Sequence, residues 1–134
     1  MSTVYVDSSA LLKRVVLEAE SSAVRSLLLE RDAAGDLLTA SSLAWVEVWR
    51  SLRRAGATDL EATVEAALSG VARYAWNDTV LGRAQRVGLD TLRSLDAIHL
   101  ASALTVGAES ILTYDERLAE SAEAVGLRVL APPG

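Results

Sequence analysis

Short apolar runs alternate along this chain with longer segments whose apolar residues recur at helical spacing. Val4-Tyr5-Val6, Leu37-Leu38-Thr39-Ala40, Val71-Ala72-Arg73-Tyr74-Ala75-Trp76, Ser110-Ile111-Leu112-Thr113-Tyr114 and Leu127-Arg128-Val129-Leu130 read as five short strands. Gly35, Gly56, Gly70, Gly88, Gly107 and Gly126 each follow a helix-like stretch, where a left-handed C-terminal cap belongs. Helix starts are marked by Ser41 or Ser42, by Asp78, by Ser94 and by Asp115, and Thr58-Asp59-Leu60-Glu61 reads as a capping box. Strands alternating with helices predict an α/β fold: right-handed crossovers and a mainly parallel sheet of about five strands, covered on both faces. With no repeat, linker or low-complexity stretch, the 134 residues predict one domain over 1–134.

Composition narrows the chemistry. Half the residues are hydrophobic and Cys is absent, which removes disulfide and thiol chemistry. No apolar run is long enough to span a bilayer, and no basic patch precedes an apolar block at the N-terminus. The expectation is a soluble, cytoplasmic protein with no membrane partner. A net charge of −5 argues against simple electrostatic binding of nucleic acid. The charge is uneven, however. Arg50, Arg53 and Arg54 cluster, Arg83, Arg86 and Arg93 form a looser group, and acids dominate the last third.

Four acids stand in places where folding alone does not ask for them. Asp7 ends the first strand, at the carboxyl edge where open α/β sheets bind ligands, although Asp7 or Ser8 also fits a helix cap. Asp96 sits in a helix, Leu95 to Leu104, that is apolar nearly all round except for Asp96, His99 and Ser102. Glu47 lies among Trp45, Val46, Val48 and Trp49, where pairing with Arg50 or Ser51 is the alternative. Asp115 repeats the Asp7 pattern of strand, acid and helix, and also suits an N-cap. One edge of a parallel sheet can gather all four. Clustered carboxylates require protonation or a cation. Hard oxygen donors without Cys point to Mg²⁺ or Mn²⁺, and such sites activate water for in-line displacement at phosphorus.

The stretches Val4-Tyr5-Val6-Asp7-Ser8-Ser9-Ala10-Leu11, Glu47 in its helix, Leu92-Arg93-Ser94-Leu95-Asp96-Ala97-Ile98-His99-Leu100-Ala101 and Leu112-Thr113-Tyr114-Asp115 closely resemble the PIN-domain family, specifically the VapC-type toxins of prokaryotic toxin–antitoxin pairs. The resemblance covers essentially the whole chain. It implies a three-layer α/β/α sandwich and a Mg²⁺- or Mn²⁺-dependent endoribonuclease. Asp7, Glu47, Asp96 and Asp115 match the family's acidic catalytic and metal-binding positions, and Ser9 and Thr113 match small polar positions near the metal. It further implies an RNA substrate, a homodimer and a small antitoxin whose tail covers the site. His99 is not required by the family pattern and reads as a packing or substrate-side residue.

Arg50, Arg53, Arg54 and Arg86 are candidates to hold flanking phosphates, or they form an ordinary solvated face. Trp45 and Trp49, four apart on one helix face, read as core or as part of an interface. A receiver domain would need a Lys late in the chain, whereas Lys13 is the only one. A haloacid-dehalogenase-like phosphatase would need an Asp where Ser9 stands, and a nucleotide-binding Rossmann module a glycine-rich first turn. The competing reading from another class is a PIN-like module that binds RNA or protein without cutting.

Overall fold

The computed structural model describes residues 1–134. Five strands form one parallel sheet: β1 (Thr3–Val6), β2 (Leu37–Ser41), β3 (Ala72–Tyr74), β4 (Ser110–Leu112) and β5 (Arg128–Leu130). Their order across the sheet is β3-β2-β1-β4-β5. Seven helices connect them: α1 (Ser8–Leu12), α2 (Ser21–Ala33), α3 (Ser42–Arg54), α4 (Leu60–Leu68), α5 (Asp78–Ala84), α6 (Ser94–Thr105) and α7 (Glu116–Ala124). The chain thus steps outward from β1 through β2 to β3, then returns to the other side of β1 to lay down β4 and β5.

Strand side chains alternate between two cores, as the period of two demands. Val4, Val6, Leu38, Ala40 and Leu112 join residues of α1, α2, α3 and α4 in a cluster of 16 buried side chains. Tyr5 and Ile111 point the other way, into a cluster of 8 with Leu100 and Ala103 of α6 and Leu118 and Ala122 of α7. Helices therefore cover both faces, giving the expected three layers, and β1 is buried on both sides, as a central parallel strand must be. Each fully buried Leu or Val contributes roughly 1.5–3 kcal/mol.

All five expected strands are present, with shorter bounds in three places. The strand expected from Val71 to Trp76 is only Ala72–Tyr74, at the sheet edge, β4 stops at Leu112, and β5 starts at Arg128 instead of Leu127. Three helix starts also differ. Asp59, not Thr58, caps α4, with Oδ1 accepting from the Ala62 N–H at 3.3 Å; this moves Glu61 out of reach of the reciprocal bond. Asn77 caps α5 through the Val80 N–H, and Asp78 instead places its charge in the first turn, against the helix dipole. Arg93 occupies the cap position of α6 without a side-chain bond, and Ser94 is already helical. Ser41 and Asp115 cap as expected. Gly107, at φ 74°, closes α6 in a left-handed turn that feeds β4.

Candidate active site

Because β4 lies beside β1 but comes late in the chain, the loops after these two neighbours leave the sheet in different directions. That crevice, at the carboxyl ends, is where an open α/β sheet offers a binding site. Asp7 follows β1 there, and Thr113 to Asp115 follow β4.

Asp7 occupies the cap position of α1 but makes no capping bond. Its Oδ2 instead accepts hydrogens from Ser9 Oγ at 2.7 Å and from Thr113 Oγ1 at 2.9 Å. Those two hydroxyls accept in turn, Ser9 from the Tyr114 N–H at 3.0 Å and Thr113 from the Asp115 N–H at 3.1 Å. Backbone amides thus leave each hydroxyl its hydrogen to give to Asp7. One carboxylate oxygen is saturated and held, and the other, Oδ1, faces the site. With 3% exposure, the side chain has little freedom to turn.

Glu47 reaches the same place from α3, and His99 from α6, so the two helical layers meet beyond the strand ends. His99 Nε2 lies 2.5 Å from Glu47 Oε1 and 3.7 Å from Asp7 Oδ1. On the far side of the ring, Nδ1 lies 2.6 Å from the hydroxyl of Tyr5, which also accepts from the Ser41 N–H at 3.0 Å. His99 is fully buried, as is Tyr5. Burial works to lower the His99 pKa, but the Glu47 hydrogen bond and the charges of Asp7, Glu47 and Asp96 outweigh it, and the net shift is upward. One donor atom from each of Asp7, Glu47 and His99 lies within 4.8 Å of the others.

Asp96, in the first turn of α6, forms the outer half of the site. It shares a cleft of about 460 Å³ with Arg93, Asp115, Glu116 and Arg117. Its pKa is pushed up to about 6, first by burial, then by the negative charges of Asp115 and Asp7, with Glu47 adding to them and His99 opposing. All three other candidate acids are therefore close enough to burden this one. Asp115 Oδ1 accepts from the Leu118 N–H at 2.9 Å, so it caps α7 while its other oxygen remains uncommitted. The ion pairs of the chain belong to Lys13, Arg31 and His99, which leaves Arg93 and Arg117 unpaired beside these acids.

The structure thus gathers Asp7, Glu47, Asp96 and Asp115, with Ser9 and Thr113 as hydroxyls that orient Asp7. It does not bring Arg50, Arg54 and Arg86 to them. Arg50 borders an apolar groove between α3 and α4 with Val46, Trp49 and Val64, Arg86 borders a separate cleft between α5 and α6, and Arg54 lies exposed at the end of α3. Trp45 packs partly against the larger core, whereas Trp49 is 40% exposed. Sequence reasoning missed the place of His99 between two acids, and it missed Tyr5 entirely. The signal for His99 was its spacing of three from Asp96 in an otherwise apolar helix. Tyr5 left none, since an aromatic in a central strand reads as core.

Carboxylate oxygens dominate the set of possible donors, with His99 the one nitrogen beside them, and the excess negative charge that raises Asp96 is what a hard divalent cation relieves. The residues present fit such an ion.

Comparison with known proteins bears on the family and the fold. Residues 4–124 match the family described as PIN domain. Ribonuclease VapC47 of Mycobacterium tuberculosis (strain CDC 1551 / Oshkosh) is 36% identical over 133 residues, spanning 98% of this chain and 97% of the relative. Among solved structures, VapC20 of Mycobacterium tuberculosis, a toxin that cleaves the sarcin-ricin loop, superposes with a TM-score of 0.74 at 18% identity, covering 96% of this chain and 99% of that one. VapBC2 from Rickettsia felis, bound to a DNA fragment of its promoter, gives 0.75 at 10% identity over 96% and 97%. At such identities the structural matches show the fold alone.

Proposed function

The chain belongs to the PIN-domain family, and from that premise we propose that it is a divalent-cation-dependent endoribonuclease, a single domain over residues 1–134 acting as the toxin of a toxin–antitoxin pair. The observation that carries this reading is the gathering of the four acids at the β1–β4 crevice, with Asp96 bearing the unrelieved charge of the others.

Asp7, Glu47, Asp96 and Asp115 would hold Mg²⁺ or Mn²⁺. Such an ion supplies Lewis-acid activation of water and offsets the charge that builds on the phosphoryl oxygens. The chain's own residues do the rest. Ser9 and Thr113 fix the Asp7 carboxylate so that Oδ1 faces the site. Burial of Asp7, His99 and Thr113 keeps bulk water from the inner wall, which strengthens every charge interaction there. Arg93 and Arg117, unpaired on the walls of the outer cleft, hold phosphates on either side of the bond to be cut. Arg50, Arg54 and Arg86 serve only a longer RNA that continues over the surface.

The partner is a cognate antitoxin, supported by the toxin–antitoxin complexes among the structural neighbours. The Val46 and Trp49 groove gives this partner apolar surface. A homodimer and a cytoplasmic location complete the reading, and no helix is long and apolar enough to cross a membrane. The test is cleavage of a mixed transfer and ribosomal RNA pool by antitoxin-free protein with Mn²⁺, with EDTA, and by the Asp7→Ala variant. Discrete cuts that vanish in both controls support the nuclease. Tight RNA binding without cuts supports the non-catalytic module instead.

A further inference from the structure

We infer that His99 is a positioning residue for Glu47 and not a cation ligand, because Tyr5 fixes the ring so that Nε2 carries a hydrogen aimed at the Glu47 carboxylate. The proximity of one donor atom each from Asp7, Glu47 and His99 would by itself admit His99 as a nitrogen ligand. Hydrogen-bond accounting decides against that. The Tyr5 hydroxyl oxygen already accepts from the Ser41 N–H, and its own hydrogen meets His99 Nδ1 at 2.6 Å, a short and direct acceptor; the Ser41 side chain, the other polar neighbour, acts on Tyr5 as a donor. With Nδ1 accepting, the neutral ring bears its hydrogen on Nε2, 2.5 Å from Glu47 Oε1. In the doubly protonated ring Nε2 bears a hydrogen as well. Only the opposite neutral tautomer frees Nε2. That form strands the Tyr5 hydrogen in a fully buried setting and turns a nitrogen lone pair toward a carboxylate oxygen.

The relay therefore runs from the N-cap of α3 back to the middle of that helix. The Ser41 amide orients Tyr5 of β1, Tyr5 orients His99 of α6, and His99 orients Glu47 of α3. Glu47 is the one acid of the four that sits in the middle of a helix, without a strand end or a helix start to hold it. Its side chain, at 24% exposure, would otherwise be free to swing toward solvent. Hydrogen bonds of this kind on the outer side of a cation site commonly change affinity or activity about 10- to 100-fold when removed.

The kinetic arm of the test rests on the nuclease reading; the spectroscopic arm does not. His99 is the only histidine in the chain, so both ring ¹⁵N resonances of tag-free protein belong to it, and their different couplings to the two carbon-bound ring protons tell Nδ1 from Nε2. A long-range ¹H–¹⁵N correlation spectrum is recorded with and without saturating Mg²⁺. Nε2 stays protonated in both. An Nε2 resonance that moves to the unprotonated range on adding Mg²⁺ overturns the inference. Tyr5→Phe lowers Mg²⁺ affinity by calorimetry about tenfold and lowers kcat similarly, with KM for RNA unchanged. His99→Gln, which keeps an amide N–H near the place of Nε2, retains more Mg²⁺ affinity than His99→Leu; equal loss in the two overturns it. Wild-type protein that binds Mg²⁺ with Nε2 protonated but cuts no RNA removes the nuclease and leaves the positioning role standing.

Discussion

Asp7 and Asp96 are both aspartates beside the strand ends, yet their surroundings differ in kind. Asp7 is buried, accepts two hydroxyl hydrogens on one oxygen and faces a histidine with the other. Asp96 stands in an open cleft, makes no hydrogen bond to another side chain, and feels burial and the charge of Asp115 and Asp7. The inner half of the site is organised before any ligand arrives, whereas the outer half holds the charge that a ligand must relieve. Preorganised groups cost nothing at the moment of reaction. An acid left in deficit supplies the driving force for recruiting a cation.

The sharpest way to break this comparison is Asp96→Asn. It keeps the fold, because Asp96 supports no other group, and lowers single-turnover cleavage more than about a hundredfold, beyond what outer residues typically cost. Retained cleavage with native circular dichroism removes Asp96 from the catalytic set.

The same variant sharpens the contrast through pH. The folded pKa of Asp96, about 6, lies above the ordinary 3.8, so protonation favours the folded state. That contribution is fully present below about pH 4 and is lost as pH rises through 6. In EDTA, Asp96→Asn should therefore melt higher than wild type at pH 7.5, and the two should converge near pH 4. After allowance for solvent screening the gap is about 1 kcal/mol, or roughly 4 °C. A gap that is constant with pH contradicts the charge-deficit account. On the inner side, Thr113→Val strips Asp7 of one donor and the Asp115 amide of its acceptor, and chemical denaturation at pH 7.5 should show a loss of about 1–2 kcal/mol. The smallest effect belongs to the walls. Arg93→Gln and Arg117→Gln should each reduce the salt dependence of RNA binding by about one contact, with Arg54→Gln nearer to no change.

The fold was legible in the sequence because its signals are local. Short apolar runs that follow a helix-ending glycine such as Gly107 or Gly126 mark strands in any context. The four acids were legible for the opposite reason: Asp96 and Glu47 sit where apolar neighbours leave a carboxylate unexplained. Cap positions were less so, since Thr58 and Asp59, or Asn77 and Asp78, are equally able to start a helix and only the packed register chooses. Two further features depend on contacts between distant segments. Tyr5 and His99 meet across 94 positions, and Ser9 and Thr113 share one oxygen of Asp7 from opposite ends of the chain. Where the arginines lie relative to the acids depends on the fold for the same reason. Arg50 and Arg54 cluster in sequence but lie on α3 away from the cleft, whereas Arg93 and Arg117, far apart in sequence, flank it.

The most direct test of a charge deficit completed by a cation is a pair of melting curves across millimolar Mn²⁺, wild type beside Asp96→Asn. Wild type should rise with concentration, approaching about 2.7 kcal/mol of stabilisation at a hundred times the dissociation constant. Asp96→Asn should begin higher and rise little. A flat wild-type curve, or an equal rise in both proteins, would contradict the account.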